Sequence, residues 1–207
     1  MIRIWYLNPR SSVNLSQHQD TCTMLRAVLS LLFVSLVAAQ VPGIGKCPPA
    51  KPMTSFDLEK YLGKWYEIQR FFAAFQAGMD CVSANYSSKP DGHIKVYNVG
   101  YKSGKENALE GDGYAPDAGS PAKLAVRFAA GTPYAPYWVL ATDYNTYSLV
   151  FSCEEVLGIG HIEFSWILAR KRSLDPATLD KLRGILKDNG ANPANYKDTN
   201  QRNCPAY

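Results

Sequence analysis

Residues 122–153 read AKLAVRFAAGTPYAPYWVLATDYNTYSLVFSC. In the first seven, Leu124, Val126 and Phe128 fall on one side of an extended chain and Lys123, Ala125 and Arg127 on the other, the period-two alternation of a half-buried strand. Gly131-Thr132-Pro133 breaks that run, and residues 137–144 and 147–153 follow as two further strand-like segments. Residues 137–144 are apolar on both faces. Such a strand needs cover on each side, so the sheet it belongs to faces an apolar interior and is overlaid on part of its outer surface.

Working outward, strand-like runs recur at residues 65–70, 82–87, 93–101, 108–114 and 161–170. Turn clusters separate them, among them Lys89-Pro90-Asp91-Gly92, Ser103-Gly104, Pro116-Asp117-Ala118-Gly119 and Leu157-Gly158-Ile159-Gly160. Eight strands between Gly63 and Arg170 leave only about 13 residues for each strand with its turn. That excludes crossover helices, so neighbours pair antiparallel and the fold class is all-β, an eight-stranded antiparallel up-and-down barrel. A short helical turn is expected over residues 57–62, ended by Gly63. Beyond the last strand, Asp175 supplies an N-cap, Pro176 a first helical residue and Gly190 a stop. Leu179, Leu182, Ile185 and Leu186 recur at helical spacing between them, so one C-terminal α-helix packs its apolar stripe on the outside of the barrel. Residues 192–207 have no periodicity.

At 207 residues, 46% hydrophobic and 19% charged, the chain suits one sizeable domain. The net charge of +4 is spread along the sequence, which argues against nucleic acid as a partner. Residues 27–39 form an apolar run too short to span a bilayer, preceded by Arg26 and ending Val37-Ala38-Ala39. Residues 1–39 therefore read as a secretory signal peptide, with Met24 as a second candidate start, and residues 40–207 as a single secreted domain. Its first part, residues 40–52, reads as an extended arm carrying Cys47. Cleavage removes Cys22, and the five cysteines become four: Cys47, Cys81, Cys153 and Cys204. In an oxidising compartment an even set pairs as disulfides, with three connectivities open. Their wide separation, and the absence of a ligand spacing among His18, His93 and His161, argues against metal. Asn85-Tyr86-Ser87 is a glycosylation sequon.

Three short motifs stand in order on this frame: Gly63-Lys64-Trp65 at the first strand, Thr142-Asp143-Tyr144 between the sixth and seventh, and Arg170 ending the eighth. Together they resemble the three motifs of the kernel lipocalins. The runs GKWYEI at 63–68, APYWVLATDY at 135–144 and WILAR at 166–170 carry the resemblance, which extends over residues 46–205. It implies that Trp65 plugs one end of the barrel beside Gly63 and that Arg170 lies across the indole as a cation over an aromatic face. It also implies the pairing Cys47–Cys153 and Cys81–Cys204. The implied pocket is lined by Tyr86, Val96, Asn98, Phe128, Tyr137 and Trp166. Asn98 is the polar member, in phase with Ile94 and Val96, and needs a partner on an apolar face.

The function that follows from the resemblance is binding without chemistry. A secreted carrier would enclose small hydrophobic ligands, fatty acids such as arachidonic acid or progesterone-like steroids, and contribute to lipid transport. It would need no cofactor. A bilin or carotenoid pigment carrier is the alternative. With all four cysteines paired, no thiol nucleophile remains for the isomerase chemistry some lipocalins perform, and no Ser-His-Asp set stands out. The uncharged loop at 129–136 suits either a cover for the mouth or a lipid surface. It lacks Met and Trp, and Glu154-Glu155 follow Cys153 where some members carry a further cysteine for covalent linkage. Association with lipoprotein particles or a membrane surface would therefore be non-covalent.

Overall fold

The computed structural model describes residues 41–205, so the expected signal peptide, Cys22 and Met24 lie outside the described residues. In chain order the elements are β1 (Val41–Ile44), α1 (Leu58–Tyr61), β2 (Gly63–Arg70), β3 (Asp80–Ser88), β4 (Ile94–Lys102), β5 (Lys105–Tyr114), β6 (Lys123–Arg127), β7 (Ala135–Thr142), β8 (Tyr147–Val156), β9 (Gly160–Ala169), α2 (Pro176–Asp188) and β10 (Lys197–Asp198). From β2 to β9 each strand pairs antiparallel with the next, and β9 returns to β2 through Tyr66↔Ala169 to Arg70↔Trp166, closing an eight-stranded barrel. The two short strands occupy stretches that the barrel's own ladders leave unpaired on one side. β1 pairs with the first half of β9 and β10 with the end of β2.

Several strands run further than the hydrophobic pattern suggests. β5 starts at Lys105, not Ala108, because Ser103 (φ 53°) and Gly104 (φ 75°) form a two-residue left-handed turn. Such a turn matches the twist of the strands and keeps them paired up to it. Lys105, Glu106 and Asn107 are exposed, so no alternation marks them. β8 likewise continues past Cys153 to Val156. The sixth barrel strand is displaced the other way: β7 covers Ala135–Thr142, and Tyr144, at φ 68°, belongs to the turn.

Inside the barrel Trp65, Tyr86, Ile94, Val96, Leu124, Val139, Val150 and Leu168 form one buried cluster. The outer faces of β7, β8 and β9 contribute Leu140, Leu149, Phe151 and Ile167 to a second, and α2 covers it with Leu182 and Leu186 fully buried. This is the cover that the doubly apolar strands require. The helix is capped as its sequence suggests: the Asp175 carboxylate accepts from the Thr178 N–H at 2.9 Å, and Gly190 leaves the helix at φ 90°. Cys47–Cys153 fastens the segment after β1 to β8, and Cys81–Cys204 fastens the tail to β3. Each joins residues more than 100 positions apart, 106 and 123, a separation for which lost chain entropy stabilises by up to about 4–5 kcal/mol.

The helix contact yields a stability prediction. Leu186→Ala should cost about 2–5 kcal/mol by leaving a cavity under α2, whereas Lys187→Ala on the exposed face should stay within about 0.5 kcal/mol. Urea unfolding of the two variants would measure this. Equal midpoints would show that α2 is not an energetic part of the domain.

Candidate functional site: a cavity closed at one end

The closed end is built from the three motifs. At Gly63 (φ 90°) the chain reverses from α1 into β2, a backbone state that glycine adopts without strain, and a Cβ there would sit 3.4 Å from an Arg170 guanidinium nitrogen. Trp65 is fully buried and donates its indole N–H to the Tyr61 carbonyl at 2.8 Å. The Arg170 guanidinium carbon lies 3.7 Å from the Trp65 ring centre. Its nitrogens donate to the carbonyls of Tyr144 (2.8 Å), Lys64 (2.9 Å), Leu62 (2.9 Å), Lys60 (3.1 Å) and Tyr61 (3.3 Å). The Thr142-Asp143-Tyr144 turn presents one of these carbonyls. Asp143 holds the turn by accepting from the backbone N–H groups of Thr146 and Tyr147 at 2.7 and 3.0 Å.

Above this floor lies a cavity of about 640 Å³, within the range of sites that enclose one small molecule. Tyr86, Val96, Asn98, Phe128, Tyr137 and Trp166 all line it. Asn98 Oδ1 is buried without a hydrogen-bond partner. At the base, the Tyr137 hydroxyl bonds those of Tyr86 (2.8 Å) and Tyr61 (3.1 Å), and Tyr61 also bonds the Ser148 hydroxyl (2.9 Å). Asn85, by contrast, is exposed on β3 and takes no part in the cavity.

Other cavity residues escaped the sequence reading. Glu67 is buried and lines the wall, where Arg70, Gln76 Nε2 (2.8 Å) and the Thr199 hydroxyl (2.5 Å) bind its carboxylate. Gln76 also accepts the Trp166 indole N–H at 3.0 Å. Glu67 shares parity with Trp65, which was the available signal. Gln76 ends a single 3-10 turn in the β2–β3 connection and offered none. Thr132, Pro133, Ala135 and Pro136 also line the cavity, so the uncharged 129–136 loop borders its mouth. This loop is fastened from the barrel's outer surface: the Tyr134 hydroxyl donates to Asp112 at 2.5 Å, beside Lys89 (2.6 Å) and His93 (2.7 Å) on the same carboxylate. Hydrogen bonding from Lys89, then from Tyr134, holds the Asp112 carboxyl below the usual carboxylate range.

Burial pushes the Tyr61 hydroxyl up to about 12 and raises those of Tyr86 and Tyr137 as well. A folded-state pKa above the unfolded value of about 10 gives stability that is complete below pH 10 and is lost as pH climbs through the folded pKa. Absorbance at 295 nm should therefore show these tyrosines still protonated when exposed ones ionise, with melting temperature falling above about pH 10. Ionisation of every tyrosine near 10 in the folded protein would contradict the buried hydroxyl chain.

Comparison with known proteins agrees with this architecture. A family model described as a lipocalin-like domain matches residues 56–201. Apolipoprotein D of Cavia porcellus is 41% identical over 187 residues, 89% of this chain and 98% of that protein. Apolipoprotein D of Mus musculus is 40% identical over 188 residues, covering 90% and 98%. Among solved structures, insecticyanin from the tobacco hornworm Manduca sexta superposes with a TM-score of 0.69 at 27% identity, covering 78% of this chain and 89% of its own. With a barrel closed by its three motifs and relatives at this level of identity, the chain belongs to the lipocalin family.

Proposed function

We propose that this chain is a secreted carrier whose cargo is a small hydrophobic molecule, a fatty acid such as arachidonic acid or a progesterone-like steroid, and that it contributes to lipid transport. The observation that carries this reading is the cavity, sealed below by Trp65 and Arg170 and walled mainly by apolar side chains around one unpartnered amide. Apolar burial at roughly 25 cal/mol per Å² would supply the affinity, and Asn98 with the tyrosine hydroxyls would orient a polar head. The apolipoprotein D relatives support a binding protein rather than an enzyme, and the four mature cysteines are paired, leaving no thiol nucleophile among them.

The two disulfides fit an oxidising, extracellular setting. Among the described residues no helix is long and apolar enough to cross a membrane. Asn85 is exposed and so open to glycosylation. Phe75, Leu157 and Ile159, in the β2–β3 and β8–β9 connections at the open end, are 59%, 83% and 75% exposed, and they support non-covalent association with lipoprotein particles or a membrane surface. A bilin or carotenoid carrier is the second reading, favoured by the likeness to insecticyanin. A coloured protein from the native source would establish it.

Trp166 lines the cavity while Trp138 lies under Lys123, its ring centre 5.2 Å from the ammonium. Titration with arachidonic acid and with progesterone should change tryptophan emission saturably, and Trp166→Phe should remove more of the change than Trp138→Phe. Ligand at a hundred times its Kd should add about 2.7 kcal/mol, raising Tm by several degrees. No emission change and no thermal protection with either ligand would end the proposal.

A further inference from the structure

β2 and β3 pair over the first half of β2, from Gly63↔Tyr86 to Tyr66↔Ser83. Just past that ladder the C-terminal tail spans the two strands. Gln201 Nε2 donates to the Glu67 carbonyl on β2 at 2.9 Å and to the Val82 carbonyl on β3 at 2.7 Å. Thr199, which follows β10, donates its backbone N–H to the Ile68 carbonyl at 2.9 Å and its hydroxyl to the Glu67 carboxylate at 2.5 Å. Cys81–Cys204 pins the end of this segment to β3. Thr199 and Gln201 are both buried, yet neither is among the described residues that line the cavity.

What they touch does line it. One oxygen of the Glu67 carboxylate accepts from Thr199 and Arg70, and the other from the Gln76 side-chain nitrogen at 2.8 Å. A carboxylate only accepts, so Gln76 turns its nitrogen toward Glu67 and leaves its oxygen for the Trp166 indole N–H, 3.0 Å away. The indole also stacks on Phe164, with ring centres 6.0 Å apart and planes at 5°. A buried carboxylate that loses a donor carries a desolvation cost, which it reduces by shifting toward the donors that remain. Here one of those is Gln76, so a change in the tail reaches the indole. Resting on the carrier reading, we infer that Thr199 and Gln201 are positioning residues for the cavity: through Glu67 and Gln76 the disulfide-anchored tail sets the orientation of the Trp166 indole, and with it the affinity for cargo.

Thr199→Val keeps the side-chain shape and removes the hydroxyl, whereas Thr199→Ser keeps the hydroxyl. In proton–nitrogen NMR spectra of the ligand-free protein, the Trp166 indole resonance, identified by its loss in Trp166→Phe, should move in Thr199→Val and stay near its wild-type position in Thr199→Ser. The Trp138 indole resonance should be unchanged in both. Titration with arachidonic acid and with progesterone should show binding about fivefold weaker in Thr199→Val, the weight of one hydrogen bond, and rescued in Thr199→Ser. With the middle link cut by Gln76→Met, Thr199→Val should cost no further affinity. Where Thr199→Val does not fold, Gln201→Met makes the same comparisons from the second tie. An unmoved indole resonance, or an equal loss of affinity with and without Gln76, overturns the inference and leaves the carrier reading standing. If neither lipid binds the wild type, the carrier reading falls, and the indole resonance decides whether the tail orients Trp166.

Discussion

The contact between Arg170 and Trp65 is the constraint on which the rest depends. Eight strands curl into a tube, and a tube is wet at both ends unless something seals it. Here the indole fills one end and the guanidinium lies over it, its donors spent on carbonyls from α1, from β2 and from the β7–β8 turn. Only a planar, five-donor cation does this, since an ammonium is a compact point charge that neither stacks nor reaches so many acceptors. One residue at the end of the last strand thereby ties the entry to the first strand and the turn between the sixth and seventh. The enclosed interior above, with the polar groups that face it, follows from this seal.

Much of the fold was legible because its physics is local. Alternation at 123–128, double apolarity at 137–144 and the Asp175-Pro176 start of the helix each record a face, a cover or a cap within a few residues. The two edge strands were not legible, because Val41–Ile44 and Lys197–Asp198 earn their pairing from tertiary position, not from pattern. The lower half of the site was read through Trp65 and Arg170. The tyrosine chain was missed in part because Tyr61 lies in a one-turn helix, where nothing in the sequence says that it points up into the barrel. Gln76 was hidden for the same reason, a loop residue whose role exists only once β2 and β9 have met.

The mouth is held by different means from the floor. Phe128 and Pro133 face the cavity, while Tyr134 anchors the same loop on the outside through Asp112. Side chains that line the cavity and side chains that position the loop thus occupy opposite sides of one strand pair. Substitutions can alter either set without first altering the other.

The pairing of β2 with β9 joins residues about 100 positions apart, and every other barrel pairing is between neighbours in sequence. Hairpins form early and cheaply, whereas a long-range closure comes late because chain entropy must first be overcome. Until it forms there is a curved open sheet and no enclosed volume at all. A molecule held in the cavity is therefore one that the closed barrel admits through its mouth, where Phe128 and the 129–136 loop stand.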